Sequence, residues 1–202
     1  MPFQYRTLAT TGESLYKAKG SKHFGYAYRV SDEGSIGEIL GAIRSAHPQA
    51  NHVCYAWRLG ADGEQYRSND DGEPNNSAGK PILGQIEKHQ LTHVLVAVVR
   101  YFGGTKLGVG GLIEAYRTAA EMAIDDAEIA EVQLMSHFEI AFDYPDMSSL
   151  MLAIRSNHWE SYDPKFETTC SIKLMTLPGG EEEISAVLAA FPSIRINFLG
   201  TY

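Results

Sequence analysis

The strongest constraint on the fold is the segment His93–Phe102, whose core, Val94–Val99, is an unbroken aliphatic run. It is far too short to span a bilayer, which takes roughly 20 residues, and it reads as a strand buried on both faces. Gly103-Gly-Thr-Lys-Leu-Gly-Val-Gly-Gly111 follows, and then Leu112, Tyr116, Ala119, Ala120, Ala123 and Ile124 at helical spacing. A strand apolar on both faces needs neighbours beside it and cover above and below.

The flanking sequence supplies those neighbours. Phe24, Tyr26, Tyr28 and Val30 share one face at period two and mark a strand. Ile36, Ile39, Leu40 and Ile43 mark an amphipathic helix, with Ser35 and Glu38 at capping-box spacing. His52–Leu59 is a further strand, with Val53, Tyr55, Trp57 and Leu59 on one face and His52, Cys54, Ala56 and Arg58 on the other. Asp62-Gly63 turns it back into Glu64–Ser68. Asn69–Asn76 is a loop, and Ser77 stands as the cap of a helix carrying Ile82, Leu83 and Ile86. Beyond Leu134–Ser136 the pattern changes. Strands at His137–Phe142, His158–Phe166, Cys170–Leu177 and Ile194–Leu199 alternate with helices at Asp146–Ser156 and Glu181–Phe191. That order is the ferredoxin-like, split βαβ arrangement. Two domains are expected, 1–135 and 136–202.

Charge limits the partners. The formal net charge of −8 argues against a protein that coats nucleic acid through a general field. Residues 1–135 carry −3 of it and the rest −5, so any basic surface is small and lies in the first domain. Cys54 and Cys170 are too far apart for a disulfide framework or a zinc spacing. The N-terminus has no apolar core after a basic start. A reduced, cytoplasmic protein with no membrane partner is expected.

Four groups of residues are candidates for chemistry. Gly103, Gly104 and Gly108 let backbone amides approach an anion at a helix start, with Arg100 and Lys106 adding charge; the same glycines equally serve a tight strand-to-helix turn. The stretch is neither a Walker motif nor Gly-x-Gly-x-x-Gly. Lys17, Lys19 and Lys22, with His23, precede the aromatic strand, as in proteins that hold a phosphate backbone and stack bases, though such runs also occur on solvated turns. Lys80 adds a cation in the first turn of the next helix. Ser68-Asn-Asp-Asp-Gly-Glu-Pro74 brings Asp70, Asp71 and Glu73 together; Asp71 and Glu73 are weak candidates for a hard cation, against a loop whose side chains bond their own backbone. His52 and Cys54 share a face but stand about 7 Å apart, too far for an activated thiol. His47, His89 and His93 fit no ligand spacing and read as surface or core histidines. No catalytic set, resident metal or cofactor is expected.

Five stretches carry a resemblance: Lys19-Gly-Ser-Lys-His-Phe24, Ala50-Asn-His-Val-Cys54, Ser68–Pro74, Ala78-Gly-Lys-Pro-Ile-Leu83 and Val98-Val-Arg-Tyr-Phe-Gly-Gly-Thr-Lys-Leu-Gly108. Over residues 15–127 the chain resembles the IMPACT/YigZ family, and its C-terminal part resembles the extra domain of the bacterial members. It departs where the family has Ser-Gly-Thr and this chain has Asn75-Asn-Ser77. It departs again at Glu114, where the family has Arg; an acid in the first helical turn would repel phosphate. The resemblance implies an α+β chain: a ribosomal protein S5 domain-2-like fold with a left-handed crossover, then a ferredoxin-like domain, a tandem similar to one in elongation factor G. Eukaryotic members bind a ribosome-associated activator of a translation-control kinase and restrain that kinase, but they carry a different extra domain.

The expected function is therefore that of a non-enzymatic protein binding RNA, the ribosome or a translation factor, as in a translation regulator. Its contacts would be Lys19, Lys22, Lys80, Arg100, Gly103, Gly104, Lys106 and Gly108. A second reading is an enzyme or sensor for a small phosphorylated metabolite, with Mg²⁺ on Asp71 and Glu73. A third lets the acidic C-terminal domain dock a basic partner.

Overall fold

A computed structural model describes residues 4–166 and 169–202. The chain divides into two compact units, Met1–Val132 and Gln133–Tyr202. The sequence pattern put the junction a few residues later, where the long helical pattern fades.

The first unit is built on a five-stranded antiparallel sheet, β2 (Gly12–Ala18), β3 (Ser21–Arg29), β6 (Val94–Tyr101), β4 (His52–Leu59) and β5 (Gln65–Asn69), in that spatial order. β6 is central, and its parity explains the apolar run. Val94, Val96 and Val98 pack with α2 (Gly79–Lys88) and α3 (Gly108–Asp126), whereas Leu95, Ala97 and Val99 pack on the side of α1 (Glu33–Ala46). α3 presents Ala119, Ala120 and Ala123 to the sheet and lies so close that a Cβ on Gly25 of β3 would stand 2.4 Å from the Ala119 carbonyl. β1 (Gln4–Leu8) pairs with β7 (Ile129–Gln133) in a separate ribbon.

Two caps differ from the sequence expectation. α1 is capped by Asp32, whose Oδ1 accepts from the Ser35 amide at 2.8 Å while Ser35 Oγ reaches back, so the box sits three residues before Ser35 and Glu38. Ser77 does not cap α2: its hydroxyl donates to the Pro74 carbonyl at 2.6 Å. Asp70 takes that role. Its Oδ1 accepts from the Ala78 and Gly79 amides at 3.0 and 2.8 Å, and its Oδ2 from Asn76 at 2.9 Å. A charged acceptor answers the orphan amides of the first turn better than a hydroxyl.

The second unit runs β8 (Ser136–Phe142), α4 (Met147–Ser156), β9 (Glu160–Phe166), β10 (Cys170–Thr176), α5 (Glu181–Leu188) and β11 (Arg195–Thr201). Its sheet order is β11-β8-β10-β9, all antiparallel, and this is the ferredoxin-like arrangement. Phe138, Ile140, Phe142, Ile172 and Leu174 form one core with Leu150, Ile154, Ile184 and Leu188 of the helices. Both cysteines are buried and free. Among the described residues no helix is long and apolar enough to cross a membrane.

Candidate functional site

The acidic loop between β5 and α2 points inward. Asp71 Oδ2 accepts from the Val53 amide at 2.7 Å, and its two oxygens receive the Arg44 guanidinium at 3.0 and 3.2 Å. Burial alone would raise the Asp71 pKa; the Arg44 fork and the Val53 N–H outweigh it and hold the carboxyl below its ordinary value. Glu73 is only 7% exposed, and its Oε1 accepts from Arg100 Nη1 at 2.6 Å and from the Tyr116 hydroxyl at 2.7 Å. Both proposed cation ligands are therefore engaged by arginines. Among the described residues no group of three or more His, Cys, Asp or Glu could hold a metal.

The same pairing corrects the reading of Arg100 as an anion contact. Arg100 is 6% exposed and locked to Glu73, so it offers no free charge to a ligand. On the sheet it stands on one rung between His23 of β3 and His52 of β4. His23 is fully buried, edge-on to Tyr116 at 5.3 Å, with neither ring nitrogen in hydrogen-bond geometry. Burial first, and the Arg100 charge second, lower its pKa to about 4, so it is neutral at pH 7. His52 donates from Nδ1 to the Asp71 carbonyl at 2.8 Å, and Cys54 donates to the Asp70 carbonyl at 3.0 Å. Each has its own backbone acceptor, and burial pushes the thiol pKa up. Cys54 is a structural thiol.

The outward-facing candidates lie at the other charged segment. Lys19 and Lys22 are exposed at the β2–β3 turn. The main chain of that turn lies against the glycine-rich loop: a Cβ on Gly103 would stand 1.9 Å from the Gly20 carbonyl carbon, and the Gly103 amide donates to Ser21 Oγ at 3.1 Å. Gly103 is glycine for packing, and its amide is occupied. Gly104 and Gly108 differ. Their φ angles are +87° and +74°, and open space stands where a side chain would be. Lys106 is exposed between them. The first turn of α3 has no side-chain cap. Glu114 falls in the second turn, since the helix begins at Gly108, so it sits farther from the amides than the sequence suggested. Lys80 is exposed in the first turn of α2.

Beside the turn is a hollow of about 330 Å³, lined by Gly20, Lys22, Phe24, His47, Tyr101 and Phe102. Its wall is a ring cluster. Phe24, His47 and Tyr101 have mutual centroid distances of 5.5–5.8 Å. His47, just past the end of α1, is fixed by Tyr26 OH at 2.7 Å on Nε2 and Tyr101 OH at 2.9 Å on Nδ1. Sequence reasoning missed this grouping and set His47 aside. The period-two aromatics of β3 were visible, but the register that sets Lys22 opposite Tyr101 was not.

Comparison with known proteins gives a consistent picture. The Impact N-terminal domain model matches residues 19–124. IMPACT family member YvyE of Bacillus subtilis is 30% identical over 198 residues, covering 91% of each chain. IMPACT family member YigZ of Escherichia coli is 29% identical over 163 residues, covering 80% of each. A crystal structure of a hypothetical protein superposes with TM-score 0.73 over 99% of both chains at 24% identity, a likeness of fold.

Proposed function

The chain belongs to the IMPACT family, and from that premise we propose that its first unit is a non-catalytic module contacting RNA, in the setting of the ribosome or a translation factor, in the cytoplasm. The contact surface is the β2–β3 turn with Lys19 and Lys22, together with the loop carrying Gly104, Lys106 and Gly108; Lys80 adds a fourth cation from α2. The observation that carries this reading is the close seating of the Gly20–Ser21 main chain on Gly103, which joins two outward basic segments about eighty positions apart. Phosphate contacts of this kind position a nucleic acid without reading its sequence.

The alternative, a metabolite enzyme or sensor using Mg²⁺, needs free carboxylates. Asp71 and Glu73 are taken by Arg44 and Arg100, and Cys54 is a buried thiol, so the residues that reading relies on are already engaged. The test is RNA binding as a function of salt. Four lysines on single-stranded RNA should give a log–log slope of about −3. A slope near zero, or no binding at low salt, contradicts the proposal.

A further inference from the structure

α1 covers only part of its side of the sheet. On β2 and β3 the rungs Lys17–Lys22–Tyr101, Leu15–Phe24–Val99 and Glu13–Tyr26–Ala97 keep one face, and Leu15 is 41% exposed. Two hollows occupy this face. One is the 330 Å³ hollow at the lysine end. The other, about 390 Å³, is lined by Tyr26, Tyr28 and α1 residues, closes at Glu13, and shares His47 with the first. The face thus has a polarity: cations at one end, a carboxylate at the other, and half-buried rings between.

We propose that the lysine-end hollow takes one unpaired RNA base, stacked against Phe102 and the Phe24–Tyr101 wall, with the phosphate of the same nucleotide on Lys17 and Lys22. This deepens the RNA reading above and rests on it. Three features select a nucleotide over an apolar peptide side chain. His47 and Tyr101 of the wall are fixed by hydrogen bonds, the Tyr26 and Tyr101 hydroxyls each meeting one ring nitrogen of His47, and a stacking platform gains from such fixed rings. Phe102 is 46% exposed although the Arg100 guanidinium lies over its ring at 5.7 Å, so part of the ring remains to be covered. Lys22 lines the hollow and Lys17 stands directly opposite it on β2, in a chain of net negative charge, which favours an anionic group beside the ring. A base in a duplex cannot enter such a hollow; an unpaired one can.

The test uses the full chain and two probes: a single-stranded oligonucleotide carrying 2-aminopurine, and a blunt duplex of the same sequence. Stacking should quench the 2-aminopurine on binding. Phe102→Ala should weaken single-strand binding by about 5- to 150-fold, the range for losing one base–aromatic stack, abolish the quench, and leave the salt slope alone. Phe102→Tyr should restore both. Lys22→Ala should lower the magnitude of the slope by about 0.7 while the quench persists. If single strand and duplex bind alike, with no quench and no effect of Phe102→Ala, the base site is wrong while the RNA reading stands. If neither RNA binds at low salt, both fall.

Discussion

The loop Asn69–Asn76 and the stretch Lys17–Lys22 each bunch three like charges within a few residues of the first unit. The acids turn inward. Asp70 caps α2, Asp71 receives Arg44, and Glu73 receives Arg100 and Tyr116. Of the basic stretch, Lys17, Lys19 and Lys22 stay in solvent, while Ser21 and the following His23 are buried. The difference lies in what each segment meets. A carboxylate loop beside a helix start and two arginines finds donors enough to offset desolvation, whereas the lysines of a hairpin tip seated on glycine main chain form no ion pair among the described residues. The acidic loop is a lock on the fold, and the basic turn is a free surface.

The largest effect should come from the lock. Arg100→Met leaves Glu73 buried without its cation and should cost about 3–5 kcal/mol in urea unfolding. If stability hardly changes while RNA binding collapses, Arg100 belongs to the free surface after all and the contrast breaks.

Next is pH. His23 titrates near 4 when folded against 6.5 in an open chain. The unfolded state therefore binds its proton first, and stability must fall as pH drops from 6.5 towards 4. The loss should be about 2 kcal/mol at pH 5, read from unfolding midpoints, and His23→Gln should flatten that slope. Asp71, held below the ordinary carboxylate value, adds a loss of the same sign at lower pH. A profile flat between pH 7 and 5 would show that His23 is not the neutral buried group described here. The smallest of these effects is the cap: Asp70→Ala should cost about 1–2 kcal/mol and leave RNA binding unchanged.

Much of this was legible in the sequence, and the exceptions have physical causes. Val94–Val99 announced a central strand because both of its faces are covered. The same symmetry hid the fate of Arg100: where both faces are buried, parity does not separate inside from outside, and Arg100 shares its side with Val98 rather than with the solvent. β2 escaped notice because its edge segment Glu13–Lys17 alternates weakly and stays largely exposed. The cap at Asp70 was unreadable because the acceptor lies eight residues before the amide it serves. The strand–helix order of the second unit read through clearly, since each apolar stripe there faces one core. The aromatic hollow depended on cross-strand register, which periodicity alone does not fix.

The account turns on the basic turn being a free phosphate contact. The most direct measurement is the salt dependence of single-stranded RNA binding by the intact chain and by its Lys19→Ala/Lys22→Ala variant. The prediction is a slope shallower by about 1.4 in the variant, with an unchanged unfolding midpoint. Equal slopes in the two proteins would contradict it.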